Sequence, residues 1–202
     1  LKDENTLITE LQSFPLNDKE ATLPAYQKRT LDTNKLLKSF SSYKKSIRND
    51  EASILPESFF YSNDAIKPDG TKVVQAMVHL AQLNILDLET GHVSGYRLEG
   101  EPDFSVFKSD EKIKSYFTRV QADDNYIYAV YWGKERWERF ETPHMNIIHV
   151  YDWDGILVQK IETDYSIGQM WKDTIRNTLY LTNPKIDDVL YLDLDDFLVP
   201  NT

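Results

Sequence analysis

Hydrophobic residues recur along this chain in short runs that are separated by turns rich in Asp, Asn and Gly. Three stretches share one order of features, and they span residues 67–98, 123–161 and 176–194. Each has a turn, an apolar strand, a polar connection and a second apolar strand that ends in an aspartate-bearing turn. Apolar runs bounded by such turns predict antiparallel strands joined as a meander. The chain is therefore predicted to repeat one small β unit.

Three aspartates, Asp87, Asp152 and Asp193, mark equivalent turns in the three stretches. An aspartate side chain can accept hydrogen bonds from the amides of its own turn, and Gly91 and Gly155 can supply the positive φ that tight turns need. The spacing is unequal because residues 99–115 and a hairpin over 132–145 lengthen the unit. A radial array of four-stranded sheets tolerates such insertions in its surface loops.

The predicted fold is therefore all-β, a β-propeller of four-stranded antiparallel blades in a single domain over residues 1–202. About four to five blades are expected at roughly 40–45 residues each, either as a closed ring of five or as an incomplete ring of six. Upstream, Thr6–Leu16 and Tyr26–Ser46 are predicted to be outer strands, and Asp50–Asn63 to cross between blades. Ala76–Leu88 also fits a buried helix, but the following Asp-x-x-x-Gly turn favours two strands.

Composition narrows the function classes. The formal net charge is −10 and no basic stripe is concentrated in the chain, which argues against nucleic acid or an anionic membrane as the main partner. The absence of cysteine excludes disulfides, thiolate zinc sites and cysteine nucleophiles. No apolar run is long enough to span a bilayer. Because the chain opens on Leu1 rather than methionine, we expect it to be the C-terminal part of a longer protein.

Four segments, in this order and spacing, resemble the TolB-like six-bladed propeller family of Bacteroidetes, a group of uncharacterised, predicted envelope lipoproteins. The likeness covers about Ile54 to Phe197. Its first feature is Leu55-Pro56, and the four segments on which it rests are Ile66–Val74, Asn125–Gly133, Ile148–Gly155 and Thr178–Leu181. Family members are usually longer at the N-terminus, and the lipoprotein cysteine is absent here. Both departures are expected for a trimmed chain.

The resemblance implies a place in the cell envelope, periplasmic or associated with the outer membrane, with membrane attachment through an N-terminal lipid anchor that this chain lacks. It supplies no catalytic residues, because the family has no established activity. We therefore expect a non-enzymatic binding module that recognises a protein, peptide or glycan through loops at one face, without a cofactor. The alternative is a calcium-dependent hydrolase of the lactonase or esterase type.

The candidate binding residues lie in the hairpin insertion after the strand that contains Tyr131. Aromatic and basic side chains alternate there, a composition typical of binding hot spots and of surfaces that stack on sugars or peptides. The predicted ligand-binding residues are Trp132, Arg136, Trp137, Arg139 and Phe140. The competing interpretation is a strand pair whose aromatic side chains pack on a neighbouring blade.

The other polar candidates favour structural roles. His149 lies in the middle of an apolar strand, so we expect a buried, hydrogen-bonded histidine. The acidic residues near the C-terminus could bind calcium through hard oxygens, but they are expected to form solvated turns, and they are Asp187, Asp188, Asp193, Asp195 and Asp196. Trp153 and Trp171 are expected to pack between blades. No Gly-x-Ser-x-Gly motif is present, which makes a serine hydrolase of that type unexpected.

Overall fold

Antiparallel sheets follow one another along the chain. The computed structural model describes residues 6–11, 25–41, 60–101, 103–108, 113–135, 138, 145–183 and 187–198. Within these ranges, four sheets are present, which we call sheets I to IV. Sheet I contains β1 (Thr6–Leu11), β2 (Ala25–Thr30) and β3 (Leu36–Ser41). Sheet II contains β4 (Ser62–Ile66), β5 (Lys72–Met77), β6 (Gln82–Asp87) and β7 (Val93–Arg97). Sheet III contains β8 (Lys114–Ala122), β9 (Tyr126–Glu135), β10 (Ile147–Asp152) and β11 (Leu157–Glu162). Sheet IV contains β12 (Gln169–Asp173), β13 (Thr178–Thr182) and β14 (Val189–Asp193).

The two middle sheets are buried on both faces. On β9, Ile127 and Ala129 belong to a core cluster shared with sheet II. The alternate residues, Tyr128 and Val130, belong to a second cluster shared with sheet IV. Successive side chains of a strand point to opposite faces of its sheet. When both faces are buried, consecutive residues of the strand must therefore all be apolar. A smaller cluster joins sheets I and II. The sheets therefore stack face to face in chain order, an arrangement consistent with part of a propeller.

The structure confirms the predicted strands. Residues 76–88 contain the end of β5 and all of β6, so the helical alternative is wrong at this position. β2, which begins one residue earlier at Ala25, and β3 form the two strands predicted over Tyr26–Ser46 around the turn at Asp32, and Thr6–Leu16 contains β1. Of the predicted crossing segment, residues 50–59 lie outside the described residues, while Ser62 and Asn63 begin β4.

The connections between strands divide into two groups, one at each end of the sheets. We call one end the turn face; it carries the tight turns at 67–71, 88–92, 123–125, 153–156 and 174–177. The opposite end, the loop face, carries the connections at 78–81, 98–113, 136–146 and 163–168. Contacts between neighbouring sheets show that the equivalent ends of the sheets lie on the same side of the structure. The Tyr116 amide donates to Val78 O at the loop face, at 2.7 Å, and the Lys172 ammonium meets Asp123 at the turn face.

Aspartates hold the turn face together, as the sequence predicts. One carboxylate oxygen of Asp87 accepts hydrogen bonds from the Glu89 and Thr90 amides, at 2.9 and 2.7 Å. Asp152 and Asp193 make the same kind of contact in sheets III and IV. The Thr90 amide contributes most to lowering the pKa of Asp87 below its ordinary value. The carboxylates near the C-terminus are exposed to solvent, as expected: Asp187 and Asp188 precede β14, Asp193 ends it, and Asp195 and Asp196 lie in the 3-10 helix that follows.

The two tryptophans predicted to pack between blades behave differently. Trp153 is buried between sheets II and III, and its indole N–H donates to Asp123 O at 3.0 Å. The Trp171 side chain is 50% exposed among the described residues, so its predicted packing between blades is not seen there. Trp171 lies on β12 in register with Tyr180 and, beyond it, Tyr191. These residues point away from sheet III, onto the face of sheet IV that no described sheet covers.

Gly155 provides a test of the contact between sheets II and III. It has a φ of +78°, and a Cβ at this position would overlap the ring of Tyr96 on β7. Gly100 has a φ of +80° and nothing within 4 Å of its would-be Cβ. Both Gly→Ala variants incur the cost of positive φ, roughly 1–2 kcal/mol. We expect Gly155→Ala to lose a further ~1–3 kcal/mol of unfolding free energy, measured by urea titration. Equal losses would contradict the packing of Tyr96 on this turn.

Candidate binding site

The predicted ligand-binding residues belong to the connection between β9 and β10 on the loop face. The structure describes Trp132 among them, whereas Arg136, Trp137, Arg139 and Phe140 lie outside the described residues. The Trp132 side chain is 6% exposed, and the Lys134 ammonium lies 5.3 Å from the centre of its ring. Trp132 is therefore mainly a packing residue at the base of the insertion. For the other four residues, ligand binding stays a prediction.

The insertion leaves sheet III through a sharply fixed backbone. Gly133 has a φ of +69°, in the left-handed region that favours glycine. The Tyr131 ring folds over it, so that a Cβ on Gly133 would lie 2.5 Å from the Tyr131 hydroxyl. The Glu135 amide donates to the Glu138 carboxylate at 2.6 Å. These contacts set the direction in which the chain leaves β9.

Beneath the insertion, Tyr131 stacks on His149 of β10. The two ring centres are 4.4 Å apart and the planes are tilted by 11°. His149 is buried, and its Nδ1 lies 3.1 Å from the Tyr151 hydroxyl. Burial, with a smaller contribution from Lys160, lowers the pKa of His149 to about 4. The imidazole is therefore neutral at pH 7, which confirms the prediction of a satisfied core histidine.

Glu101 ties the second insertion of the loop face to the same aromatic group. Its carboxylate accepts a hydrogen bond from the Tyr116 hydroxyl at 2.8 Å, and its charge also acts on the Tyr131 hydroxyl. Burial, reinforced by the Glu101 charge, raises the pKa of Tyr131 above its ordinary value. Glu101, in the connection at 98–113, therefore contacts sheet III next to Tyr131, close to the start of the hairpin insertion. No sequence motif marks Glu101, since its partners come from two strands of sheet III.

A cleft of about 610 Å³ lies at the turn face between sheets III and IV. Lys172 is one of the residues that line it, and its side chain is almost completely buried. The ammonium is 3.5 Å from Asp123 Oδ2 and donates to Asn177 Oδ1 at 3.0 Å. The Tyr128 hydroxyl donates to the same Asp123 oxygen at 2.8 Å. Because these polar groups satisfy one another and the turns around them, we interpret the cleft as a structural joint between the two sheets.

Metal ligation has no evident centre in the described part of the chain. Among residues 6–198, omitting the ranges that the structure does not describe, no group of three or more His, Asp or Glu side chains could hold a metal ion. In the same part of the chain, no helix is long and apolar enough to cross a membrane.

Comparison with known proteins decides the family. The model of the TolB-like 6-blade propeller-like family matches residues 16–173. This chain belongs to that family. No curated protein matches the TolB-like chain.

One solved structure supports the fold of the TolB-like chain. Kuenenia stuttgartiensis hydrazine synthase resembles it with a TM-score of 0.50 and 14% identity, over 85% of this chain and 40% of that one. The TolB-like chain thus spans less than half of that protein's length. Kluyvelomyces marxianus Hsv2 has a TM-score of 0.37 and 13% identity, over 68% of this chain and 33% of its own, which is too low to carry an argument. At these identities, the likeness concerns the fold alone.

The buried His149 predicts a specific pH dependence. In the unfolded chain, His149 takes up a proton as the pH falls below about 6.5. In the folded chain, the same side chain does so only near pH 4. Unfolding free energy should therefore fall as the pH drops from about 6.5 to 4. His149→Gln should flatten this slope, and the same change at the exposed His92 should not. Urea titrations at several pH values give the measurement, and equal slopes in both variants would contradict it.

Proposed function

We propose that this chain is part of a non-enzymatic binding module of the cell envelope, which recognises a protein, peptide or glycan partner through its loop face. Membrane attachment would come from a lipid anchor outside this chain. The proposed role needs no metal or cofactor. The observation that carries it is topological: both long insertions into the repeated unit, at 98–113 and 136–146, arise at the same end of the sheets.

The two ends of the sheets differ in what they can offer a partner. On the turn face, aspartates such as Asp87 and Asp152 already bond the amides of their own turns. Their carboxylates are therefore largely committed to the fold. On the loop face, the insertions at 98–113 and 136–146 connect strands whose positions are fixed by packing in the core. Loops of this kind on a rigid scaffold are where binding residues concentrate.

Residues around the hairpin insertion have the composition of a contact surface. Trp137 and Phe140 alternate with Arg136 and Arg139 in the sequence. Aromatic side chains supply large contact areas at low entropy cost, and arginine adds planar hydrogen bonding and cation–π contacts. The anchoring of Tyr131 by Gly133, His149 and Glu101 supports the proposal, since a fixed base limits the entropy lost on binding.

The test is a double substitution in the insertion, Trp137→Ala with Arg139→Ala. Capture of partners by the immobilised chain from a solubilised envelope fraction, together with a peptide and glycan array, would be compared with the wild type. We expect the strongest ligand to bind at least tenfold more weakly, because buried Trp and Arg contacts at an interface commonly contribute 2 kcal/mol or more. The melting temperature should stay within a few degrees.

The matched control is Ile175→Ala with Arg176→Ala. This pair also removes one large apolar group and one arginine, from an exposed turn on the turn face. It should leave binding unchanged. If both pairs weaken binding equally, or if the insertion variant unfolds at a much lower temperature, the loop face is not the recognition surface.

A further inference from the structure

His149 lies beneath the hairpin insertion, enclosed by aromatic side chains. Besides the stacked Tyr131, the rings of Phe117 and Tyr151 meet it edge-on, with centres 6.4 and 5.9 Å away. Within the described residues, the contact of Nδ1 with the Tyr151 hydroxyl is the one hydrogen bond of the imidazole. Both nitrogens of an imidazolium are donors, so the Nε2 proton of a charged His149 would have no described acceptor.

The charged groups around this ring do not favour an imidazolium. Lys160 of β11 is in register with His149 and repels a positive charge there. No described carboxylate forms an ion pair with the ring. Glu101 acts on the Tyr131 hydroxyl, and its carboxylate lies 4.0 Å from the Lys114 ammonium of β8. A charge on His149 would therefore be buried without a partner.

The other titratable groups near this cluster behave differently. Sheet II contributes apolar side chains, such as Leu83, to the core cluster that contains Tyr151. Burial raises the pKa of Tyr131 and of Tyr151, so both hydroxyls stay neutral between pH 5 and 7. On the connection at 78–81, the partly exposed His79 has its Nδ1 3.4 Å from a carbonyl of β8. His149 differs from it in being buried.

Tyr131 couples His149 to the insertion. Its ring stacks on the imidazole, and it also folds over Gly133, which has a φ of +69°. A movement of the Tyr131 ring away from His149 would give water access to the imidazole. The same movement would release Gly133 and the strand end that follows it, up to Glu135.

Two opposing forces act on the stack when His149 is charged. The face of the Tyr131 ring attracts a cation, which favours the closed arrangement. Loss of hydration, the missing acceptor at Nε2 and the Lys160 charge all disfavour it. Because three unfavourable contributions oppose a single favourable contact, the charged imidazole should prefer the solvated arrangement.

We propose that His149 is a pH-dependent switch for the hairpin insertion. Protonation of the imidazole moves Tyr131 off the ring, so that the base of the insertion between Tyr131 and Glu135 opens in acid while the sheets stay folded.

Proton linkage sets the size of the effect. In the open form, His149 regains its ordinary pKa of 6.5, whereas in the closed form it takes up a proton only near pH 4. The closed form is therefore favoured above pH 6.5, and this preference is lost as the pH falls from 6.5 to 4. The ratio of open to closed molecules should rise roughly twentyfold between pH 7 and pH 5.

Hydrogen exchange of the full chain measures this opening, with each rate divided by the intrinsic rate of that amide at the same pH. The protected amides between Tyr131 and Glu135 should lose roughly twentyfold in protection between pH 7 and pH 5. Low concentrations of urea identify the opening as local. Exchange through local opening changes little with urea, whereas exchange of the β13 amides through global unfolding accelerates.

Two matched variants assign the effect to one histidine. His149→Phe keeps an aromatic ring against Tyr131 but cannot take up a proton, so it should abolish the pH dependence of the local opening. His79→Phe makes the same change in a neighbouring connection and should retain the twentyfold loss. Lys160→Gln removes the repelling charge and should make the loss smaller. This third variant keeps the test decisive if His149→Phe fails to fold.

Acid should also weaken binding at the loop face, a consequence that rests on the proposed function. The exchange measurement needs no partner, so the switch and the binding role can fail separately.

Several results would overturn the switch. One is equal or greater protection between Tyr131 and Glu135 at pH 5 than at pH 7, which would show that the charged ring holds Tyr131 in place. Another is exchange of these amides with the urea dependence of β13, which would make the opening global. Retention of the full pH dependence in His149→Phe would assign it to another group.

Discussion

Burial of both faces of each inner sheet is the constraint on which the rest of this structure depends. A strand with one solvent-exposed face alternates apolar and polar residues. In contrast, β9 places Ile127 and Ala129 against sheet II, and it places Tyr128 and Val130 against sheet IV. Each large side chain buried in this way contributes roughly 1.5–3 kcal/mol. When the sheets stack in chain order, both faces of each inner sheet are buried. The connections between the strands then lie at the two ends of the sheets.

The two ends then acquire different physical characters. At the turn face, short connections need hydrogen-bond acceptors for their amides, and Asp87, Asp152 and Asp193 provide them. At the loop face, added residues are not needed for closure of the sheets, so the sequence is free to vary in length and chemistry. The side-chain contacts of Tyr131 and Glu101 hold these additions at their base. Rigid sheets with variable loops at one end suit recognition.

Local patterns sufficed for the strands and the aspartate turns, because both depend on neighbours in sequence. The turn after Ile85 was enough to reject a helix over residues 76–88. Contacts between sheets were harder to predict: Trp153 and Trp171 have similar local surroundings, yet only Trp153 meets a neighbouring sheet. The buried Lys172 and the carboxylate of Glu101 were missed for the same reason, since their partners are distant in sequence. The hairpin insertion was recognised by its composition, and ligand binding by its residues stays a prediction.

Methyl-to-methyl nuclear Overhauser effects test the stacking of the sheets most directly. Two neighbouring positions of β9 should report opposite environments. The Ile127 methyl groups should show effects to Val74, Leu83 or Ile85 of sheet II and none to Leu179 or Leu181 of sheet IV, while Val130 should show the reverse. Effects from both residues to the same sheet, or none from one of them to any other sheet, would contradict the burial of both faces.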